Sequence, residues 1–278
     1  MLERLIIVSE NSVLPGFKLI GEHGFCAYLE LTDGKKLLFD TGQGMALPHN
    51  AEQLEIDLNG IDAVVISHGH YDHTNGLLKL LDRLTEGRIY LAREADANKF
   101  ARLMSGELKY IGMPRELKAS LCDRRRWEFV SEPVQIFDGI WATGPIPRRN
   151  EFETAEPMLL VERDGELVQD EVPDDMALVC NTSRGWVVLL GCAHAGVVNT
   201  LEYAAEIAGT DRFHAVIGGT HLMFASDERI ERTIEALKRF KIELFAPAHC
   251  TGFRAHGALF CEFRNIMVPS SAGMEFKF

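Results

Sequence analysis

A layered α/β fold is the class this sequence predicts, and three features predict it. Short strand-like runs alternate with helical segments through most of the chain. Leu37, Leu38 and Phe39 form an unbroken apolar run, as does most of IDAVVIS (61–67), which suits strands covered on both faces. The 278 residues can bury a substantial core without disulfides and show no repeat, low-complexity tract or linker, so a single domain over 1–278 is expected.

The elements follow in order. LERLIIVSE (2–10) opens as a strand, and GFCAYLEL (24–31) and KKLLFDTG (35–42) form a hairpin around Thr32, Asp33 and Gly34. Residues 44–53 read as a short helix and IDAVVIS as a buried strand. After His73, the recurrence of Leu77, Leu78, Leu80, Leu81 and Leu84 predicts a helix, and RIYLA (88–92) the next strand. Between 93 and 175 the pattern breaks down, and the region reads as an insertion or cap with a helix over EADANKFARLM (94–104) and a basic cluster at Arg124, Arg125 and Arg126. Alternation returns with strands MALVCNTS and WVVLLGCAHAG, helix TLEYAAEIAG, strand FHAVIGGTHL, helix SDERIERTIEALKRF and strand IELFAPAHCTG. Ser226 ahead of Asp227 and Glu228 is a good helix N-cap.

Lysine and arginine total 29 against 41 aspartates and glutamates, a net charge of −12, which disfavours nucleic-acid or anionic-membrane partners. Glu3 and Arg4 interrupt the apolar N-terminus, no cleavage signature follows, and no apolar run reaches the roughly 18 residues of a membrane span. Six scattered cysteines without a CxxC pair suit reduced thiols and a cytoplasmic location.

The chemistry concentrates in SHGHYDH (67–73). Imidazole and carboxylate suit zinc, iron or manganese, and four such groups in six residues at a strand's C-terminal end point to metal binding. In extended chain His68 and His70 face one side, while the turn at Tyr71 re-aims Asp72 and His73 towards a second position. Three later strands also end in histidine: GCAHAG with Cys192 and His194, GGTHL with His221, and PAHCTG with His249 and Cys250.

With HxHxDH at His68, His70, Asp72 and His73, the sequence resembles the metallo-β-lactamase superfamily along nearly its whole length. The resemblance implies a four-layer αβ/βα sandwich carrying two divalent cations, zinc first with iron or manganese as alternatives, at one edge of its sheets. It implies that His68, His70 and a later histidine hold the first cation, and Asp72, His73 and the last histidine the second. His194 is the expected third ligand of the first set and His249 of the second. The superfamily's usual bridging aspartate is absent from LLGCAHAG, where Cys192 stands as either a thiolate ligand or a packed thiol. Asp40 is expected to support the loop from beneath, and His23 to approach the metals from the opposite side or to serve structurally. His221 stands as a metal ligand, a donor to the reacting oxygen or a support that orients another ligand, with substrate contact or ligand support expected first. His49, His214 and His256 lack motif context. ENSVLPG, GEHGF, LLFDTGQG and GCAHAGVVN also resemble a narrower group, known as 7,8-dihydropterin-6-methyl-4-(β-D-ribofuranosyl)-aminobenzene-5′-phosphate synthases and metal-dependent hydrolases.

Paired cations activate water and polarise a carbonyl or phosphoryl oxygen, so the expected reaction is hydrolysis of a small ester, lactone or phosphoester, with Asp72 and His221 handling protons or the reacting oxygen. The alternatives are the synthase reaction, a diiron redox protein, or a non-catalytic metal-stabilised binding protein. The partner is expected to be a small molecule, phosphorylated or otherwise anionic, met by Arg124 to Arg126 or by Arg148 and Arg149, and a homo-oligomer stays open. Trp127, Trp141 and Phe152 read as either packing or a platform for a flat ring. GGTHL lacks the continuation that a phosphate-binding loop needs.

Overall fold

The computed structural model describes residues 1–84, 87–121 and 126–278. Its larger sheet runs through β1 (Leu2–Ser9), β2 (Cys26–Leu31), β3 (Lys36–Phe39), β4 (Ala63–Val65) and β5 (Arg88–Ala92) on one side. A smaller sheet comprises β6 (Lys99–Arg102), β7 (Leu108–Tyr110), β11 (Leu159–Arg163) and β12 (Glu166–Gln169), all antiparallel. β8 (Trp127–Val130), β9 (Val134–Phe137) and β10 (Ile140–Ala142) return to the larger sheet, which continues with β13 (Ala177–Thr182), β14 (Gly185–Leu190), β15 (Arg212–Gly219), β16 (Lys241–Ala248) and the terminal β17 (Glu275–Lys277).

Side-chain alternation shows how these strands stack. Leu37 and Phe39, Val65, Leu178 and Cys180, Val187 and Leu189, and Ala215 and Ile217 share one central core, so the β1–β5 half of the larger sheet faces the β13–β16 half. The intervening residues Leu38, Val64 and Ile66 turn outward to pack with residues of α1 (Ala46–Gln53), Leu77, Leu80 and Leu84. Those on the other half, Val179, Val188, Leu190 and Val216, pack with residues of α4 (Val197–Ala208), α5 (Asp227–Leu237) and α6 (Phe253–Phe263). Helices, half-sheet, half-sheet and helices make the four layers. The unbroken apolar stretch Leu37–Phe39 is the sequence trace of this double burial.

Two expected helices differ. Residues 94–104 form one 3₁₀ turn (Arg93–Asp96) and then β6, because β6 pairs with β11 and carries Lys99 inward to two carboxylates, tertiary contacts that override the local helical pattern. The leucine-rich segment after His73 is a single α turn, α2 (Tyr71–Thr74), continued as 3₁₀ helix over Asn75–Lys79. Gly76 there lies against the Thr41 carbonyl so closely that a Cβ would come within 2.0 Å of its oxygen. A further α-helix, α3 (Arg115–Ser120), follows β7. Among the described residues no helix is long and apolar enough to cross a membrane.

Candidate metal centre

Parallel pairing of β3 with β4, of β14 with β15 and of β15 with β16 brings the C-terminal ends of these strands to one edge, the place where open α/β sheets bind ligands. β4 delivers His68 and His70, β14 delivers Cys192 and His194, β15 His221, and β16 His249 and Cys250. Asp40, Ala193, His221 and His249 take left-handed backbone there, with φ of 59°, 57°, 51° and 50°. Such strained conformations outside glycine concentrate at functional sites.

The donor atoms fall into two groups. His68 Nε2 lies 2.9 Å from His70 Nδ1 and 3.2 Å from His194 Nε2. In the second group Asp72 Oδ2 lies 3.7 Å from His73 Nε2 and 3.4 Å from His249 Nε2, and His23 Nε2 reaches the same oxygen at 3.2 Å from a half-exposed position. Donors about 2.0–2.1 Å from a tetrahedral cation are separated by roughly 3.3 Å, the spacing both groups approach. The chemistry and spacing of these donors therefore fit divalent metal. All six predicted ligands are buried.

The supporting contacts explain the ring orientations. Asp40 accepts from the Ser67 amide at 2.7 Å and lies 2.6 Å from His73 Nδ1, leaving Nε2 to face the cluster. The Ser67 hydroxyl bonds to Asp40 at 2.7 Å and to His68 Nδ1 at 2.9 Å. Asn11 Oδ1 sits 2.9 Å from His249 Nδ1, and Glu10 accepts the His249 amide at 2.7 Å. Arg148 donates to the carbonyl of His194 at 2.8 Å and to those of Glu153, Glu171 and Ala195, bracing the loop after β14. Partners that fix a ligand's tautomer and angle in this way are a regular part of metal sites.

Electrostatics separates the two groups. Burial, reinforced by neighbouring histidines, holds His68 and His194 well below the usual imidazole value, and burial with Lys99 lowers His70 to about 3. These three rings are neutral, the state a ligand needs. Burial also opposes the charge on His73, but Asp40 and Asp72 outweigh it and raise that ring to about 9, so it gives up a proton when it serves as a ligand. Burial opposes the charge on Asp72 as well, but His73 and His249 hold its carboxyl far below the usual range. Burial and Cys250 push the Cys192 thiol well up.

His221 lies beside this cluster, its ring centroid 4.0 Å from that of His194 and its Nε2 3.2 Å from Glu156. Burial works against its protonation, yet Cys250 and Glu156 carry it to about 10. Of the arginines expected to meet an anion, Arg148 is spent on carbonyl groups, Arg149 pairs with Glu206, and Arg126 donates to the Leu81 carbonyl at 2.6 Å. Arg124 and Arg125 lie outside the described residues. Trp127, Trp141 and Phe152 are packing residues. His49 meets the Lys18 carbonyl and His214 pairs with Glu243.

Asn11, Glu156, Ser67 and Asp174 belong to the site without having been expected. Asn11 falls inside ENSVLPG, so its motif was a visible signal, whereas Glu156 and Asp174 lie in the irregular 93–175 stretch with no pattern to mark them. Asp174 accepts the Gly69 amide at 2.7 Å and fixes the HxH backbone. Gly69 itself passes so near Ala95 that a Cβ would come within 1.9 Å of its carbonyl oxygen. Gly69→Ala is therefore expected to lower stability by about 1–3 kcal/mol or more through overpacking, read as the urea midpoint, and to weaken metal retention on dialysis.

Known proteins resemble this chain. The family profile described as the metallo-beta-lactamase superfamily matches residues 19–249. The chain is 34% identical over 239 residues to uncharacterized protein MJ0448 of Methanocaldococcus jannaschii, covering 86% of this chain and 87% of that one. It is 30% identical over 266 residues to the 7,8-dihydropterin-6-methyl-4-(beta-D-ribofuranosyl)-aminobenzene-5′-phosphate synthase of the same organism, covering 92% and 90%. The crystal structure of Tm1679, a metal-dependent hydrolase of the beta-lactamase superfamily, superposes with a TM-score of 0.85 at 32% identity over 99% of both chains. Sandwich, strand-end histidines and sequence similarity along most of its length agree: the chain belongs to the metallo-beta-lactamase superfamily.

Proposed function

We propose that this protein is a hydrolase that uses two divalent cations, zinc by preference, to cleave a small anionic ester, lactone or phosphoester. The observation that carries this reading is the facing of His68 Nε2 by both His70 Nδ1 and His194 Nε2 within 3.2 Å, in a buried spot that keeps the rings neutral. Neutral imidazoles have one proton each, and the Ser67 hydroxyl already meets His68 Nδ1, so three converging nitrogens are best satisfied by a shared cation. His68, His70 and His194 would hold one ion and Asp72, His73 and His249 the other. Bound there, such ions lower the pKa of water and polarise the oxygen of the scissile group.

The chain's own groups divide the remaining tasks. His221, backed by Glu156, is placed to donate to the reacting or departing oxygen, and Asp72 to receive a proton. Both face a pocket of about 480 Å³ whose other wall comes from the smaller sheet and its connections, including Leu103, Met104, Ile111, Met158 and Leu159. Lys109 and Arg102 stand on the same wall, with Lys109 Nζ 3.3 Å from the Tyr71 hydroxyl. In a protein of net charge −12, two cations beside an apolar wall favour a substrate with an anionic group and an apolar or flat body.

The 30% identity to the synthase favours a second reading, because the compound in that relative's name combines a flat pterin with a phosphate. Hydrolysis is preferred, since every chemical group at the site handles water, protons or cations. Protein purified without added metal is expected to contain about two equivalents by elemental analysis and to hydrolyse members of a phosphodiester, lactone and thioester panel. Less than one metal per chain, with no activity after addition of zinc, manganese or iron, overturns the proposal. Turnover only of the synthase's precursors selects the second reading.

A further inference from the structure

We propose that Cys192 is a thiolate ligand shared by both cation positions; this rests on the two-cation reading proposed above. Its Sγ groups with the donors of His68 and His194 and, equally, with those of His73 and His249, all atoms within 4.8 Å of one another in each set. Among the described residues no other side chain occurs in a set on each side. Sγ lies 3.2 Å from His73 Nε2. Donors at about 2.3 Å for sulfur and 2.0 Å for nitrogen from one tetrahedral ion stand roughly 3.5 Å apart, so the sulfur is at ligand distance from the second set.

The nearby carboxylates leave this role open. Asp40 is taken by Ser67 and His73 Nδ1, Asp174 by Lys99 and the Gly69 amide, and Glu156 by His221. Asp175 accepts the Ala195 amide through Oδ2; its buried Oδ1 has no hydrogen-bond partner among the described residues, but Asp175 falls in none of the donor sets. Ala193, with its left-handed backbone, turns the chain so that Cys192 and His194 both enter the cluster. Cys250 is close by but held differently: its Sγ accepts the His221 amide at 3.3 Å, donates to the Cys192 carbonyl at 3.5 Å, and groups only with Cys192 and His221.

Ligation breaks the S–H bond, releases the proton to solvent and forms sulfur–metal bonds, with no change of oxidation state. Two anionic donors, Asp72 and Cys192, leave a pair of divalent cations with net positive charge, which suits an anionic substrate. A soft donor at the shared position also selects zinc, cobalt or iron over manganese and magnesium.

The test replaces the native metal of the full-length protein with Co(II) and follows its absorption. A sulfur-to-cobalt charge-transfer band in the near ultraviolet is expected as cobalt fills the sites. It should disappear in Cys192→Ser and Cys192→Asp, each checked for folding by circular dichroism, and persist in Cys250→Ser. Cys192→Asp should also gain affinity for manganese relative to zinc. Two bound cobalt ions without the band overturn the thiolate while leaving the two-cation reading intact. A band that survives Cys192→Ser and vanishes in Cys250→Ser also overturns it, and failure to bind cobalt stoichiometrically overturns both.

Discussion

His70→Ala is expected to lower kcat/KM for any hydrolysed substrate by on the order of a thousandfold, which is about 4 kcal/mol of transition-state stabilisation at 1.36 kcal/mol per tenfold change. His70 supplies one of three nitrogens in the first donor group, and its Nδ1 lies only 2.9 Å from His68 Nε2. Removing it takes away one of the three imidazoles that would hold the first ion, so metal content should fall by up to about one equivalent per chain. The fold should survive, because the HxH backbone is anchored independently by the bond from the Gly69 amide to Asp174. Elemental analysis, steady-state kinetics in excess zinc and a urea melt separate these effects. A variant that folds, loses its metal and still turns over substrate at the original rate would show that the cluster is only a structural brace.

The sequence carried the strand ends more legibly than the groups that serve them. His68, His70, Asp72 and His73 sit in one short segment, where ligand chemistry and strand termination coincide, and the structure brings them to one edge with His194 and His249 from far along the chain. Double burial of β3 was also readable, since a strand covered on both faces must be apolar at consecutive positions. The smaller sheet was not, because its strands are short, partly exposed and mixed in composition: β12 is exposed along its whole length and β6 hides a lysine. A buried lysine cannot be distinguished from a surface one until its carboxylate partners, some 70 residues away in sequence, are folded against it. Glu156 and Asp174 were hidden for the same reason. Arg148 carries charge that suggests an anion site, yet its geometry commits it to backbone carbonyls.

That buried lysine yields the largest expected effect on stability. Lys99 Nζ donates to Asp174 at 2.6 Å and to Asp170 at 3.0 Å, with all three side chains about 1% exposed or less. Lys99→Met keeps the volume of the stem but strands two carboxylates, and removing one partner of a buried ion pair costs about 3–5 kcal/mol. The loss should appear as a lower urea midpoint with an unchanged slope. Because Asp174 also holds the Gly69 amide, metal affinity should fall with it. The pH dependence gives a second check. Burial opposes the charge on Lys99, but Asp174 and Asp170 outweigh it and raise its pKa above the ordinary 10.5, so its contribution is complete below that value and is lost as pH rises through the folded pKa. Burial likewise opposes the charge on Asp174, but Lys99 holds its carboxyl below 3.8, so that contribution is present above 3.8 and is lost as pH falls through the lowered value. In Lys99→Met, Asp174 loses its cation and burial raises its carboxyl instead, so the variant's deficit should shrink on mild acidification, when protonation removes that stranded charge. Adding Asp170→Asn and Asp174→Asn to the variant should recover part of the loss at neutral pH. A deficit that stays constant from neutral to acidic pH would mean that the ion pair is not what holds this part of the site together.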